Sequence, residues 1–152
     1  MPHAIAVTRR VNPPDAEPAI TEAQLWKALE FKARNPRVFV PMITSCKVTR
    51  DDGDELVREV TFEHSPDVVV EKVYAYPATI VYFDMNTGNR VTNVVSYGES
   101  DELLLTYAFG NGIPGIPDDK PKPSAGDLNA RMGKSVEGSI AVIRQMVKDG
   151  VL

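Results

Sequence analysis

The segment LNARMGKSVEGSIAVIRQMVK, residues 128–148, decides the fold of this chain. Its apolar residues recur at spacings of four, four, three and four, at Met132, Val136, Ile140, Ile143 and Val147. This spacing places them on one face of an amphipathic helix, with the charged residues mostly on the other faces. The segment is therefore predicted to be one long helix that packs its apolar face against the rest of the chain.

Almost everything between residues 43 and 109 is predicted to be β-structure. Apolar runs alternate with turn-forming stretches such as Asp51-Asp52-Gly53-Asp54 and Asn86-Thr87-Gly88-Asn89, and Ser65-Pro66-Asp67 is predicted to be a turn as well. Short turns between successive strands indicate an antiparallel meander. With one earlier strand, the predicted strands are residues 4–11, 44–50, 55–63, 68–76, 79–84, 90–97 and 102–109.

A shorter helix is predicted between the first two strands. Thr21 and Gln24 have the spacing of a capping box at its start, and Asn35-Pro36 ends it. The element order is then strand, helix, six strands and long helix. This order predicts an α+β fold in which a curved seven-stranded antiparallel sheet surrounds the C-terminal helix and leaves a cavity between them.

Residues 110–126 contain four prolines and four glycines and are predicted to be a loop, either a lid over the cavity mouth or only the connection to the last helix. The loop begins with a match to the pattern GxGxxG at residues 110–115. A dinucleotide site needs a helix directly after that pattern, and Pro114 and Pro117 exclude one. The match is therefore interpreted as loop sequence.

The composition predicts a single globular domain over residues 1–152, because 43% of the residues are hydrophobic and 25% are charged. A net charge of -4 with scattered basic residues argues against nucleic acid as a partner. No apolar run is long enough for a signal peptide or a transmembrane segment, so we expect a cytoplasmic protein, either a monomer or a homodimer.

Cysteine and histidine usage excludes several kinds of site. Cys46 is the only cysteine, so no internal disulfide can form, and nothing in its surroundings indicates a reactive thiol. His3 and His64 are far apart and lack metal-ligand spacing. His64 could form an acid–base cluster with neighbouring carboxylates, but its position beside a turn favours surface exposure. We expect neither a metal ion nor a cofactor.

A few polar residues fall on otherwise apolar strand faces. Arg58 shares its face with Leu56 and Val60, so it either anchors an anionic group of a ligand or forms an ion pair with an acid such as Glu71. Arg9 poses the same question on the first strand. Asn93 and the tyrosines would give the cavity polar handles. The residues predicted to line the cavity are Arg58, Val60, Phe62, Tyr74, Asn93, Val95, Leu105, Tyr107, Met132, Val136 and Ile140.

With these residues laid out, the chain resembles the AtaL-like branch of the SRPBCC superfamily, which includes START, pathogenesis-related and Bet v 1-like proteins. The matching stretches follow the family's order along nearly the whole chain, at residues 24–29, 32–36, 39–40, 58–62, 92–96, 106–109 and 136–140. The resemblance implies a helix-grip fold with a hydrophobic cavity. The glycine-rich loop of the plant allergen branch is reduced here to residues 51–54, so functions tied to that loop are not implied.

Two functions are compatible with such a cavity. The first is the binding or carrying of a hydrophobic small molecule, such as a lipid, sterol, polyketide or aromatic metabolite, without catalysis. The alternative is a cofactor-free cyclase, aromatase or isomerase in secondary metabolism. In that case Arg58, Asn93 and Tyr107 would stabilise developing oxyanion charge in a water-poor pocket. An interaction module that uses the sheet edges has little specific support in the sequence.

Overall fold

The predicted strands and helices are all present in the predicted order. The computed structural model describes all 152 residues, and a 3₁₀ turn at Pro36–Val38 follows the first helix. The elements are β1 (Ile5–Arg10), α1 (Glu22–Arg34), β2 (Ile43–Asp51), β3 (Glu55–Phe62), β4 (Ser65–Tyr76), β5 (Ile80–Met85), β6 (Arg90–Tyr97), β7 (Leu103–Gly110) and α2 (Ala125–Lys148).

The strands form one antiparallel sheet in the order β1-β7-β6-β5-β4-β3-β2. Directly opposed residues of an antiparallel pair lie on the same face, so the register defines which side chains meet. One continuous row runs through Val7, Tyr107, Asn93 and Val81, and it faces the helices. With α2 packed across β1 and β7, the helix-grip fold is confirmed.

The start of α1 follows directly from its sequence. The Thr21 hydroxyl accepts a hydrogen bond from the Gln24 amide, and the Gln24 side chain accepts one from the Thr21 amide. Both members of the predicted capping box are therefore made. At the other end, the amide of Asn35 bonds to the carbonyl of Phe31, and Pro36 prevents the helix from continuing.

Two predicted boundaries were wrong. The stretch predicted as a turn at residues 65–67 belongs to β4, and the turn is formed by Glu63 and His64 instead. Pro66 is tolerated in a strand because the register between β3 and β4 shifts next to it, which interrupts the ladder. The last helix starts three residues earlier than predicted, at Ala125, where the Ser124 hydroxyl accepts from the Asp127 amide.

The core lies between the inner face of the sheet and the two helices. Leu105, Leu29 and Ile143 contribute to it from β7, α1 and α2, and each is at most 1% exposed. The loop before α2 adds a small cluster in which Ile113 and Ile116 pack with Leu128. The GxGxxG match lies in this loop and is followed by no helix before Ala125, so its interpretation as loop sequence is confirmed.

Arg9 of the edge strand β1 forms hydrogen bonds to α2. Its guanidinium donates to the side chain and carbonyl of Asn129 at 2.9 and 2.8 Å and to the Glu137 carboxylate at 3.1 Å. It crosses the helix at Gly133, where a β-carbon would overlap the guanidinium. Gly133 is therefore required by a close approach, whereas Gly138 on the same helix has no neighbour within 4 Å.

Two glycine substitutions test this contact. Gly138→Ala should raise the free energy of unfolding by up to ~1 kcal/mol, because alanine favours the helix and nothing obstructs it. Gly133→Ala should lack that gain, because Arg9 must give up its bonds to α2. Urea denaturation of both variants measures the difference, and equal stabilisation would show that Arg9 does not hold the helix.

Candidate functional site

Six polar side chains are buried within the core, and they lie close together. Four of them come from the inner face of the sheet and one from each helix, and all are at most 7% exposed. We call them the inner polar cluster: Lys32 of α1, Arg58 of β3, Glu71 of β4, Asn93 of β6, Tyr107 of β7 and Ser139 of α2.

Arg58 and Glu71 form a buried ion pair. They are directly opposed in the register of β3 and β4, and Arg58 Nε and Nη2 lie 2.7 and 2.5 Å from Glu71 Oε2. Arg58 Nη1 also donates to the carbonyl of Ala33 at 2.7 Å and to that of Lys32 at 3.3 Å. The last turn of a helix leaves such carbonyls without partners, so Arg58 joins the sheet to the end of α1.

Of the two roles predicted for Arg58, the structure therefore shows the ion pair. All three nitrogen atoms of its guanidinium already have partners, in Glu71 and at the end of α1. The guanidinium also lies 4.9 Å from the centre of the Phe83 ring, which shields one of its faces.

Lys32 is enclosed by aromatic rings and an amide. Its Nζ donates to Asn93 Oδ1 at 2.9 Å and lies 4.2 Å from the ring centre of Tyr107 and 5.4 Å from that of Phe83. The nearby carboxylate of Glu71 is paired with Arg58, so Lys32 has no ion-pair partner of its own. Burial, reinforced by the charge of Arg58, lowers the pKa of Lys32 from 10.5 to about 7.

Two polar atoms in the cluster have no hydrogen-bond partner, Asn93 Nδ2 and Tyr107 Oη. The bond from Lys32 fixes the oxygen of the Asn93 amide and directs the NH₂ group away. Ser139 faces the Tyr107 hydroxyl from α2, although the geometry falls short of a hydrogen bond. Burial raises the pKa of Tyr107, so its hydroxyl stays protonated as a donor.

The cluster is closed to solvent. One surface depression of about 400 Å³ lies beside Ala6, Thr92 and Ala108 on the outer face of the sheet. Another of about 450 Å³ lies between the end of β1 and α2, beside Arg10 and Ile140. No residue of the inner polar cluster lines either one, and apolar side chains surround the cluster.

Most residues predicted to line a cavity do lie between the sheet and the helices. Phe62 and Met132 are half-buried, and Phe62 lies at the end of β3 against the His64 ring. His64 itself is exposed. The fully buried members are Arg58, Val60, Asn93, Val95, Leu105, Tyr107, Val136 and Ile140.

Tyr74 is the exception: its predicted place in the cavity is wrong, because it lies on the outer face of the sheet. The register pairs it with Tyr82 of β5, which in turn pairs with Thr92 on the outer face of the sheet. Its strand has apolar residues on both faces, so alternation alone could not assign a direction. The pairing of Glu71 with Arg58, three residues earlier, decides that Tyr74 points outward.

Sequence reasoning missed Lys32 and Ser139. Lys32 is one of the scattered basic residues of the sequence, yet its spacing from Leu25 and Leu29 places it on the buried face of α1. Ser139 lies between Val136 and Ile140 on the buried face of α2. Helical periodicity therefore contained the signal for both residues.

A family model described as acetylaranotin biosynthesis cluster protein L, AtaL, matches residues 5–150. The chain belongs to the AtaL family. No curated protein matches it by sequence. No helix of this AtaL-family protein combines the length and apolar character needed to cross a bilayer.

Solved structures share the fold at low sequence identity. The di-domain ARO/CYC StfQ from the steffimycin biosynthetic pathway has a TM-score of 0.65 at 9% identity, and the match covers 97% of this chain and 51% of StfQ. The chain thus spans about half the length of that protein. Zhui aromatase/cyclase from Streptomyces sp. R1128 has a TM-score of 0.60 at 11% identity, covering 99% and 96% of the two chains.

The match to Ara h 8.0201 has a TM-score of 0.55 at 17% identity and covers 97% of this chain and 98% of that one. These likenesses establish the Bet v 1-like helix-grip fold that the AtaL-family chain adopts. At identities of 9% to 17%, the side chains of these structures differ from those of this chain at most positions.

The buried ion pair gives a stability prediction. Arg58→Met or Glu71→Leu alone should lower the free energy of unfolding by about 3–5 kcal/mol, because each leaves an unpaired buried charge. The double variant should recover much of that loss. A double-mutant cycle by urea denaturation measures the coupling energy between Arg58 and Glu71. If the two losses simply add in the double variant, the ion pair does not stabilise the protein.

Lys32 should make stability depend on pH. Its pKa is lower in the folded chain than in the unfolded chain, so unfolding takes up a proton between about pH 7 and pH 10.5. Stability should therefore rise with pH in that window relative to Lys32→Met, by at most ~1.4 kcal/mol per pH unit. Urea denaturation between pH 7 and pH 9 checks this, with Lys27→Met as the control for loss of a lysine. If the difference in free energy of unfolding between the wild type and Lys32→Met does not change with pH, Lys32 takes up no proton on unfolding.

Proposed function

We propose that this AtaL-family protein binds and carries a hydrophobic small molecule between the inner face of its sheet and its helices. The observation that supports the proposal most is the pair of unpartnered donors, Asn93 Nδ2 and Tyr107 Oη, inside an apolar core. Each costs the closed protein about 1–3 kcal/mol, since it has lost water and gained no partner. A ligand that offers an acceptor oxygen would remove that cost.

The surroundings indicate the chemistry of the ligand. Val95, Leu105, Val136 and Ile140 would contact an apolar body, while the two donors would hold a carbonyl, enolate or carboxylate oxygen. A polyketide or an oxygenated aromatic metabolite meets both requirements better than a plain hydrocarbon chain. The family description, which refers to a biosynthetic cluster, also supports a small metabolite as the ligand.

A ligand reaches these donors only when a covering element moves, because the cluster is closed. The last turn of α1 covers this site, and side-chain bonds of Lys32, Arg34 and Arg58 join it to the sheet. Movement of this turn would expose Asn93 and Tyr107 and leave the sheet and α2 in place. Uptake would then be slower than diffusion to an open pocket.

The second candidate function is a cofactor-free cyclase or aromatase. The fold likeness to StfQ and to Zhui aromatase/cyclase supports it, as do donors that could stabilise an oxyanion away from water. Arg58 would position α1 in such an enzyme, because its guanidinium is already occupied. Turnover of a bound polyketide, followed by chromatography of the products, separates the two functions.

Ligand binding is tested first by native mass spectrometry of the purified protein and by thermal shift with lipids, sterols, flavonoids and aromatic polyketides. A true ligand at one hundred times its dissociation constant should add ~2.7 kcal/mol of stability. Failure of every class in the panel, with no co-purified compound, would overturn the proposal.

Two tyrosine variants, one on each face of the sheet, test where the ligand binds. Tyr107→Phe should weaken binding by roughly 3- to 10-fold, the value of one lost hydrogen bond, and should not destabilise the free protein, because the hydroxyl has no partner there. Tyr74→Phe removes the same atom from the outer face and should leave binding unchanged. Equal effects of the two variants on the dissociation constant would place the ligand elsewhere.

A further inference from the structure

Lys32 differs from an ordinary structural lysine in its surroundings. The structure gives its amine one hydrogen-bond acceptor, Asn93 Oδ1, and no carboxylate partner. Glu71 is the only carboxylate in the inner polar cluster, and it is paired with Arg58. A protonated Lys32 would leave one positive charge uncompensated in the core, so the neutral amine is favoured.

A buried amine next to a second cation is the arrangement that activates lysine as a nucleophile toward carbonyl carbon. Asn93 accepts a hydrogen bond from the same amine and the Tyr107 ring lies against it, and each of these residues carries a donor atom without a partner. Donation of one N–H to Asn93 Oδ1 leaves the nitrogen lone pair free. These three features occur together at one point of the inner polar cluster.

We propose that Lys32 forms a reversible imine with an aldehyde or ketone group of the bound ligand. The inference rests on the proposed function, because the ligand must first enter between the sheet and the helices. It narrows the ligand class to apolar compounds that carry a carbonyl group, and it makes Lys32 the point of covalent attachment.

The step balances without any further reactant. The amine nitrogen bonds to the carbonyl carbon, and the oxygen takes a proton from the nitrogen to give a carbinolamine. Loss of the hydroxyl group with the remaining N–H proton releases one water and leaves the C=N bond. No oxidation occurs, and addition of water reverses the sequence and frees the ligand. Asn93 and Tyr107 would hold the oxygen while it carries negative charge.

The pH dependence distinguishes Lys32 from other lysines. The charged and titratable groups that face it are Arg58, Glu71 and Tyr107, and Cys46 lies near the same ion pair. With a pKa of about 7, half of Lys32 is free amine at neutral pH. An exposed lysine has on the order of a thousandfold less free amine at that pH.

The experiment is reductive trapping of the full chain at pH 7 with benzaldehyde and sodium borohydride. Borohydride reduces an imine to a stable secondary amine, so each event adds one benzyl group. Intact-protein mass spectrometry should show a single addition, and peptide mapping should place it on Lys32. Unfolding the chain in urea before trapping should abolish this selectivity.

Three variants serve as controls. Lys32→Arg replaces the amine with a permanently charged guanidinium and Lys32→Met with an uncharged side chain of similar length, and both should lose the addition. Lys27→Arg removes an exposed lysine of the same helix and should keep it. Circular dichroism identifies any variant that fails to fold, and the wild-type mapping result stands independently of the variants.

The outcomes separate this inference from the proposed function. Label on exposed lysines with none on Lys32 overturns the imine. A thermal shift with benzaldehyde or a panel ligand but no trapped adduct also overturns it, while the binding function is retained. A tightly bound ligand without a carbonyl group should prevent benzaldehyde from labelling Lys32. If the label persists in its presence, the ligand and the imine do not share a site, and the inference is overturned.

Discussion

The arrangement of the interior depends on the buried ion pair between Arg58 and Glu71. Adjacent strands bring the two side chains directly opposite each other, and the remaining donor of Arg58 reaches the carbonyls at the end of α1. One guanidinium therefore neutralises a carboxylate and completes a helix terminus at the same time. Because this bond fixes the last turn of α1 on the sheet, it also determines where Lys32 lies.

The position of Lys32 then sets the properties of its neighbours. Its amine donates to the Asn93 oxygen, which sets the orientation of that amide, and it lies over the Tyr107 ring. Asn93 Nδ2 and Tyr107 Oη have no hydrogen-bond partner within the protein. An apolar pair at these positions would give a more stable core. The cluster therefore lowers the stability of the protein below that of the same fold with an apolar core, as polar groups at binding sites commonly do.

Local patterns predicted the elements well, because each has a physical cause contained in a few residues. The capping box at Thr21, the apolar stripe of α2 and the turns between strands are all of this kind. The ion pair of Arg58 was also foreseen as one of two roles. The face of Tyr74 was not, since it depends on the register between strands, which apolar residues on both faces leave undetermined.

The inner polar cluster was predictable only in part, for a related reason. Asn93 and Tyr107 were found because they interrupt apolar alternation on strands, but Lys32 joins them through tertiary packing of α1, sixty-one residues away from its partner Asn93. Helical spacing places Lys32 on the buried face of α1, but the low pKa of its amine also depends on where the side chain ends and on the proximity of Arg58, which only the packed structure gives. A long side chain on an amphipathic helix can end in solvent or in the core. Here the capped end of α1 places it in the core, which converts an ordinary lysine into the group on which the chemistry of the site depends.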